Sequence, residues 1–324
     1  MKRFFYLILV IIIISEILFL VLTFTSSPQV NFLKQGGQTA SLQQIAEKES
    51  QDSTITIFAV GDIMLDRGVE YMVKKEGNGD FNFPFLKIAD DLKKADILFG
   101  NLESIISDKG EKVGSIYSFR AEPGAIEGLI YAGFDVVSIA NNHSLDYGSL
   151  AFKDSLLNLK NAGIEYVGAG AEVTKEIKKT KITFLAYTNK GSKNWGINWL
   201  DERIKEDIKE AKEKSDVVIV SFHWGEEYQP QPSQEQRYFA HLAIDSGADL
   251  VVGHHPHVIQ PVEKYNDSWI AYSLGNFVFD QGFSEKTMKG LLLEVIIENK
   301  KIKEINHKEI KISPDFQPFL KASY

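Results

Sequence analysis

The chain has 324 residues, of which 44% are hydrophobic, and a formal net charge of -8. This supplies enough apolar material for one large domain or two small ones. The acidic balance argues against nucleic acid or an anionic lipid surface as the main partner, because both are bound by clustered Lys and Arg. The chain has no cysteine, which excludes disulfides and thiolate metal ligands.

The N-terminus predicts a membrane anchor over residues 1–25. Residues 4–24 are almost entirely apolar, and as a helix rising about 1.5 Å per residue they would span roughly 30 Å of bilayer. This run exceeds the h-region of roughly 7 to 15 residues in a signal peptide and no small-residue cleavage site follows it. An anchor is therefore favoured over a cleaved signal, although Glu16 is costly inside a bilayer. With Lys2 and Arg3 in the cytoplasm, the remainder would lie on the extracytoplasmic face of the cell membrane, as a single-pass protein.

Beyond a polar linker at residues 26–53, the sequence predicts one domain over residues 54–315 and a C-terminal tail over 316–324. Apolar strand-like runs alternate with amphipathic helical patterns, which is typical of an α/β fold. The predicted strands are 55–60, 96–99, 136–140, 166–168, 182–187, 217–222, 250–252, 269–273 and 291–297. The predicted helices are 85–94, 124–132, 149–162, 201–214 and 233–246, the last with Ser233 as its N-cap.

Polar residues follow five of these strands at the point where each strand ends. They are Asp62, Glu103, Asn142 with His143, His223, and the run Gly253-His254-His255-Pro256-His257. Each has a structural explanation when taken singly, such as an Asx-turn, a surface position or a hydrogen-bonded core histidine. Ligands of α/β sheets bind outside the carboxyl ends of the strands, so five such ends favour a single shared site.

The loop after strand 250–252 holds three of the seven histidines. Imidazole is the commonest nitrogen ligand of divalent transition metals, and His255 and His257 flank a single residue, so both can point to one side. That residue, Pro256, predicts an extended backbone at His255. The loop is therefore interpreted as a metal-binding loop, with a solvated turn as the alternative, whereas His241 and His307 are predicted to be structural or solvated.

Six ordered blocks resemble the CapA family of capsule-synthesis proteins, which is associated with poly-γ-glutamate production and related to the calcineurin-like metallophosphoesterases. The blocks are AVGDIMLDR (59–67), GNLESIIS (100–107), IANNHSLDYG (139–148), SFHWGEEY (221–228), GHHPHVIQPVE (253–263) and YSLGNFVFDQ (272–281). The resemblance implies a four-layer α-β-β-α sandwich of metallophosphoesterase type, with a metal-binding loop surface at one edge.

The resemblance also implies a set of metal ligands. These are Asp62, Glu103, Asn142, His223, His255 and His257, with His254 as an outer or alternate ligand. Two positions depart from the family pattern, because Met64 stands where a histidine is expected and Glu103, behind Asn101, stands for an aspartate. One ion, or a second one held loosely, is therefore expected. Oxygen and imidazole ligands without thiolate suit Mn, Zn or Fe.

His143 and Asp146 are the predicted catalytic residues. His143, beside the proposed ligand Asn142, would be the general acid for the leaving group. Asp146 either orients that imidazole or caps the helix beginning near Ser149, and the cap is favoured. The residues after His223 either line the cleft or form a solvated acidic loop: Glu226, Glu227 and Tyr228.

Three functions stay open at this point. The first is a metal-dependent hydrolase or transferase acting on poly-γ-glutamate or a related envelope polymer, the second a metallophosphoesterase acting on a phosphorylated envelope component, and the third a non-catalytic polymer-binding or export subunit. The resemblance implies an anionic envelope polymer and other capsule-synthesis membrane subunits as partners. A polymer would favour a long groove with cations such as Arg67, Arg120 or Lys190 near the metal, whereas a phosphatase would have a compact pocket.

Overall fold

A computed structural model describes residues 54–113, 115–170, 172–193 and 196–321. The predicted anchor and linker lie outside the described residues. Among the residues that are described, no helix combines the length and the apolar character needed to cross a bilayer. The described chain is a mixed α/β fold.

Strands dominate the described chain, and six short helices and one 3-10 turn connect them. The strands are β1 (Ile55–Ile63), β2 (Ile97–Leu102), β3 (Ile105–Ile106), β4 (Arg120–Ala121), β5 (Val136–Ser138), β6 (Glu165–Val167), β7 (Val173–Ile177), β8 (Thr180–Thr188), β9 (Val217–His223), β10 (Leu250–His254), β11 (Val262–Tyr265), β12 (Ser268–Ala271), β13 (Asn276–Val278), β14 (Lys289–Glu298), β15 (Lys301–Ile312) and β16 (Pro318–Leu320). The helices are α1 (Arg67–Lys75), α2 (Ala89–Leu92), α3 (Ala125–Ala132), α4 (Gly148–Asn161), α5 (Ile204–Lys214) and α6 (Gln234–Asp245), and the 3-10 turn is Phe83–Phe85.

All nine strands predicted from the sequence are present. The single helix predicted over residues 85–94 is wrong, because the chain forms the 3-10 turn and then the separate four-residue α2, with Pro84 near the start of the turn. Ser233 caps α6 as predicted, in a capping box with Gln236. At the C-terminus β16 pairs with β15, so the sheet continues past residue 315 into the predicted tail.

The strands form two large sheets. The first runs in the order β16-β15-β14-β1-β2-β5-β6, with β13 paired to the end of β1, and the second runs in the order β11-β12-β10-β9-β8-β7. In the first sheet β1, β2, β5 and β6 are parallel, and in the second β8, β9, β10 and β12 are parallel. Each sheet thus presents several carboxyl ends at one edge.

The two sheets pack face to face, and α5 and α6 cover the outer face of the second sheet. Phe99 of β2 stacks on Phe184 of β8 with ring centroids 5.4 Å apart. Along β9 the side chains alternate: Ile219 belongs to the core between the sheets, whereas Val220 belongs to a second core with α5 and α6. On the far side of the first sheet, Phe85 lies against Phe277 of β13. The second sheet thus has α5 and α6 on the face that points away from the first sheet.

The junction of β1 and β13 leaves no room for a side chain at Gly61. A Cβ there would lie 1.9 Å from the backbone oxygen of Gly275, whose carbonyl accepts a hydrogen bond from the Asp62 N–H at 3.0 Å. The close approach of these two backbones fixes where Asp62 leaves the sheet.

Gly61→Ala is expected to lower the free energy of unfolding by about 2 to 4 kcal/mol, because backbone must move to admit the methyl group. Urea denaturation of the chain in EDTA measures this effect. Gly282→Ala is the matched control, since nothing lies within 4 Å of a Cβ at that exposed position. Equal unfolding midpoints for the two variants would contradict the packing described here.

Candidate metal centre

The first sheet contributes two buried carboxylates at neighbouring strand ends. Asp62 lies near the end of β1 and Glu103 directly follows β2, and neither residue is exposed. Asn101 pairs in register with Asp62, and its Nδ2 donates to Asp62 Oδ1 at 2.8 Å and to Glu103 Oε2 at 3.4 Å. One amide therefore holds both carboxylates, a role that the sequence analysis did not assign to Asn101.

The loop after β5 places an amide against the second sheet. Asn142 Oδ1 lies 2.7 Å from His223 Nε2, at the end of β9. The preceding Asn141 anchors this loop, because its Nδ2 donates to the Leu102 carbonyl at 2.8 Å. The loop thus connects the edge of the first sheet to the edge of the second.

The histidine loop after β10 has an unusual backbone. His255 and His257 have φ values of 93° and 56°, which costs a non-glycine residue about 1 to 3 kcal/mol. The extended conformation predicted for His255 is therefore wrong. The His255 N–H donates to Asp62 Oδ2 at 3.2 Å, so a contact between the sheets overrides the local preference set by Pro256. Strain of this kind is typical of functional sites.

Several imidazoles surround one oxygen atom of Glu103. Its Oε1 lies 3.6 Å from His257 Nε2, 3.7 Å from His143 Nε2 and 3.9 Å from His223 Nε2. These distances exceed a hydrogen bond, and within the described part of the chain Oε1 has no hydrogen-bond partner. A buried carboxylate oxygen without a partner is costly, and a cation among these nitrogens would satisfy it.

Three groups of side chains have ligand atoms close enough to share an ion. The first is Glu103 with His223 and His255, the second Asp62 with Glu103 and His257, and the third Glu227 with His255 and His257. Within each group the atoms lie within 4.8 Å of one another. Glu103 belongs to the first two groups, so it would contribute to the binding of either ion.

The protonation of the buried groups also fits a cation. Burial and the neighbouring His255 hold the pKa of His223 well below its usual range, and burial and His257 do the same for the pKa of His255. Burial opposes ionisation of Asp62, but contacts with His254 and His257 outweigh it and keep the pKa of that carboxyl low. Neutral imidazoles beside a carboxylate are the form in which these groups bind a transition metal.

His143 is held from two sides. Its Nδ1 donates to Asp146 Oδ2 at 2.8 Å, and its ring stacks on Phe119 with centroids 4.0 Å apart. Asp146 Oδ2 also accepts from the Phe119 N–H at 2.8 Å. The predicted helix cap is wrong, because α4 begins after Tyr147 and no side chain caps it; Asp146 instead orients the imidazole.

A cleft of about 510 Å³ opens over the centre. Its lining residues are Arg67, Ser115, Tyr117, Phe119, Asn142, His143, Glu227, Tyr228, His257, Phe279, Asp280, Gln281 and Phe283. Arg67 is the only Lys or Arg among these, and its Nε donates to Asp280 Oδ2 at 3.1 Å. Arg120 instead lies over Tyr147, and Lys190 pairs with Glu226 at 3.0 Å, so neither lines the cleft.

The remaining histidines and Met64 lie outside the three groups. His254 Nδ1 is 3.4 Å from Asp62 Oδ1, which places this residue beside a predicted ligand. His241 contacts Glu263 at 3.0 Å, and His307 is exposed on β15. Met64 is buried, and its sulfur accepts from the Asp66 N–H at 3.2 Å.

Asn276 is a second polar residue whose role the sequence analysis missed. Its Oδ1 lies 2.9 Å from His257 Nδ1, which leaves the Nε2 of that ring directed towards Glu103. Such partners fix the tautomer of a metal-binding histidine. Asn276 lies in the block YSLGNFVFDQ, but spacing alone does not indicate which polar residue of that block reaches a histidine.

Metal binding is expected to release a proton from Glu103. Burial and the charge of Asp62 raise the pKa of Glu103 well above its usual range, so the metal-free carboxyl holds a proton that an ion must displace. His223 and His255 have lowered pKa values and are already neutral near pH 7. Metal affinity should therefore rise with pH above the range in which a glutamate ordinarily titrates.

Titration calorimetry with Mn²⁺ in two buffers of different ionisation enthalpy measures this release. We expect release of about one proton from Glu103. The same heat in both buffers, together with an affinity that does not change with pH, would contradict the protonated state of Glu103.

The sequence has clear relatives. Residues 56–281 match the family described as bacterial capsule synthesis protein PGA_cap. The chain is 33% identical over 270 residues to the capsule biosynthesis protein CapA of Bacillus anthracis, across 76% of this chain and 64% of that protein. It is 34% identical over 255 residues to the PGA biosynthesis protein CapA of Bacillus subtilis (strain 168), across 73% of this chain and 66% of the relative. The chain thus spans just under two thirds of the length of these curated relatives.

A solved structure described as a novel phosphatase from Mycoplasma pneumoniae has a similar fold. The TM-score is 0.50 at 16% identity, across 80% of this chain and 94% of that one, and at this identity the likeness concerns the fold alone. The family match, by contrast, includes all six sequence blocks and every residue of the three ligand groups. The chain therefore belongs to the bacterial capsule synthesis protein family PGA_cap.

Proposed function

We propose that this chain is a metal-dependent hydrolase or transferase of capsule or poly-γ-glutamate biosynthesis that acts on an envelope polymer. The observation that carries the proposal is Glu103 Oε1, a buried carboxylate oxygen without a hydrogen-bond partner and surrounded by imidazole nitrogens. The names of the relatives from the two Bacillus species support the polymer context.

The residues fit one or two divalent ions of Mn, Zn or Fe. Asp62, Glu103, His223, His255 and His257 would hold them, since carboxylate and imidazole suit these metals. When bound, such ions supply Lewis acidity and make water a stronger nucleophile at neutral pH. Asn142, also a predicted ligand, contacts His223 and borders the cleft.

His143 would protonate the leaving group. It lines the cleft and belongs to none of the three ligand groups. Asp146 holds the ring through Nδ1, which directs Nε2 towards the centre, 3.7 Å from Glu103 Oε1. A purely structural ion has no need of such a pair, and this supports catalysis over a role in binding alone.

A phosphorylated envelope component is the second candidate substrate. The cleft volume of about 510 Å³ lies within the range of roughly 300 to 1,000 Å³ of small-molecule sites. Its one described cation, Arg67, is paired with Asp280. A compact cleft with few cations suits a small phosphoester better than a long polyanion.

An activity panel distinguishes these substrates. The full chain, supplied with Mn²⁺ or Zn²⁺, is incubated with γ-glutamyl polymers, phosphomonoesters and phosphodiesters, with a chelated sample and His143→Gln as controls. Metal-dependent cleavage of the γ-glutamyl polymer supports the first proposal, and cleavage of phosphoesters alone supports the second. A metal-loaded chain that cleaves none of them would favour the non-catalytic polymer-binding subunit.

We further propose that an N-terminal helix over residues 1–25 anchors the domain on the outer face of the cell membrane. The support is the apolar run after Lys2 and Arg3. Protease added to intact protoplasts should then degrade the domain, whereas degradation only after lysis would contradict this location.

A further inference from the structure

Glu227 lies at the mouth of the metal centre, where the sequence predicted either a residue of the cleft lining or part of a solvated acidic loop. One of its carboxylate oxygens is within 4.8 Å of ring nitrogens of both His255 and His257. Unlike those two histidines, Glu227 is exposed, and it lines the cleft. It therefore approaches the centre from the side on which a substrate would enter.

Backbone hydrogen bonds hold this part of the chain over the histidine loop. The Tyr228 N–H donates to the Pro256 carbonyl at 2.8 Å, and Pro256 is the residue between the two histidines. On the other side of Glu227, the Trp224 N–H donates to the His254 carbonyl at 3.2 Å. The backbone of Glu227 thus lies between two anchored positions, and its exposed side chain, which also contacts the Tyr228 side chain, lines the cleft.

The histidine that faces this carboxylate has an unused nitrogen. His255 Nδ1 is buried and has no hydrogen-bond partner among the described residues, and the residue is only 6% exposed. Its ring packs against that of His223, with centroids 4.8 Å apart. An unpartnered nitrogen held in this way is the feature expected of a ligand.

Met64 cannot supply the ligand that its position has in the phosphoesterase pattern. Its sulfur is engaged with the Asp66 N–H, and the side chain is part of the apolar core. The centre therefore has one donor fewer than the pattern provides. Glu227 is an additional donor, and it reaches the centre from a different strand end.

We propose that Glu227 is a metal ligand supplied from the cleft, which compensates for Met64 and which substrate can displace. Catalytic metal sites keep one position that exchanges, and an exposed carboxylate on a fixed backbone provides it. This inference rests on the metal centre of the proposed function but is independent of which substrate the centre takes.

The test compares two adjacent glutamates in the full chain. Glu227→Ala should weaken Mn²⁺ binding at least about tenfold, as loss of metal-site partners typically does. Glu226→Ala is the matched control, because Glu226 pairs with Lys190 and belongs to no ligand group. Electron paramagnetic resonance during Mn²⁺ titration gives the affinity and the number of ions, and requires no activity.

The outcomes separate this inference from the proposed function. Equal Mn²⁺ affinity for Glu227→Ala, Glu226→Ala and the unsubstituted chain would overturn the assignment of Glu227 and leave the metal centre intact. Reduced activity of Glu227→Ala with unchanged affinity would also overturn it, since the residue would then contact substrate alone. Absence of Mn²⁺ and Zn²⁺ binding by the unsubstituted chain would overturn both proposals.

Discussion

The Glu103→Gln substitution is expected to abolish tight metal binding while leaving the fold intact. Glu103 is shared by two of the three ligand groups, so its loss weakens both ion positions, and we expect affinity to fall at least about 100-fold. Glutamine has almost the same shape as glutamate. It also removes a carboxyl group whose charged form is disfavoured by burial. The metal-free variant should therefore unfold at the same temperature as the unsubstituted chain, or at a higher one.

Thermal unfolding with and without Mn²⁺ measures this effect. At a Mn²⁺ concentration of about 100 times Kd the ion stabilises the unsubstituted chain by about 2.7 kcal/mol, and a 100-fold loss of affinity reduces this to about 0.4 kcal/mol. Glu263→Gln is the matched control, because Glu263 also contacts a histidine, His241, but lies outside the centre. Full stabilisation of Glu103→Gln by Mn²⁺ would show that Glu103 is not a ligand.

The His143→Gln substitution is expected to remove activity and leave metal binding nearly unchanged. Loss of a general acid typically lowers kcat by about 10² to 10⁴, and His143 is absent from the three ligand groups. The loss of activity should be smallest for substrates whose leaving group departs without taking up a proton. His241→Gln serves as the control, since that histidine is remote from the cleft lining.

Metal content and turnover, measured on the same preparation, distinguish a general acid from a metal ligand at His143. Metal content near that of the unsubstituted chain, with turnover lost, is the expected result. A parallel fall in metal content would make His143 a ligand, and unchanged turnover would support the non-catalytic polymer-binding subunit.

The sequence was sufficient to predict the strand ends that build the centre. Buried parallel strands are continuous apolar runs, so the ends of β1, β2, β9 and β10 were visible as the points where these runs stop. Helix α1 and strand β15 were missed because neither is a continuous apolar run. Strand β15 alternates between buried and exposed residues and is rich in Lys and Glu, and this pattern resembles a solvated segment.

The sequence did not predict which side chains contact residues that are distant along the chain. Whether Asp146 caps a helix or holds His143 depends on where Phe119 lies, and Phe119 is distant in sequence. The positive φ of His255 likewise depends on Asp62, in the other sheet. Both predictions relied on local preferences, and long-range contacts overrode them.

We propose that residues from all six sequence blocks converge on a metal centre at Glu103. Anomalous diffraction from crystals of the protein grown with Mn²⁺ would locate the ion. We expect a peak within coordination distance of Glu103 and of ring nitrogens of His255 or His257. Peaks found only on the protein surface, with Glu103 Oε1 bonded to solvent alone, would contradict it.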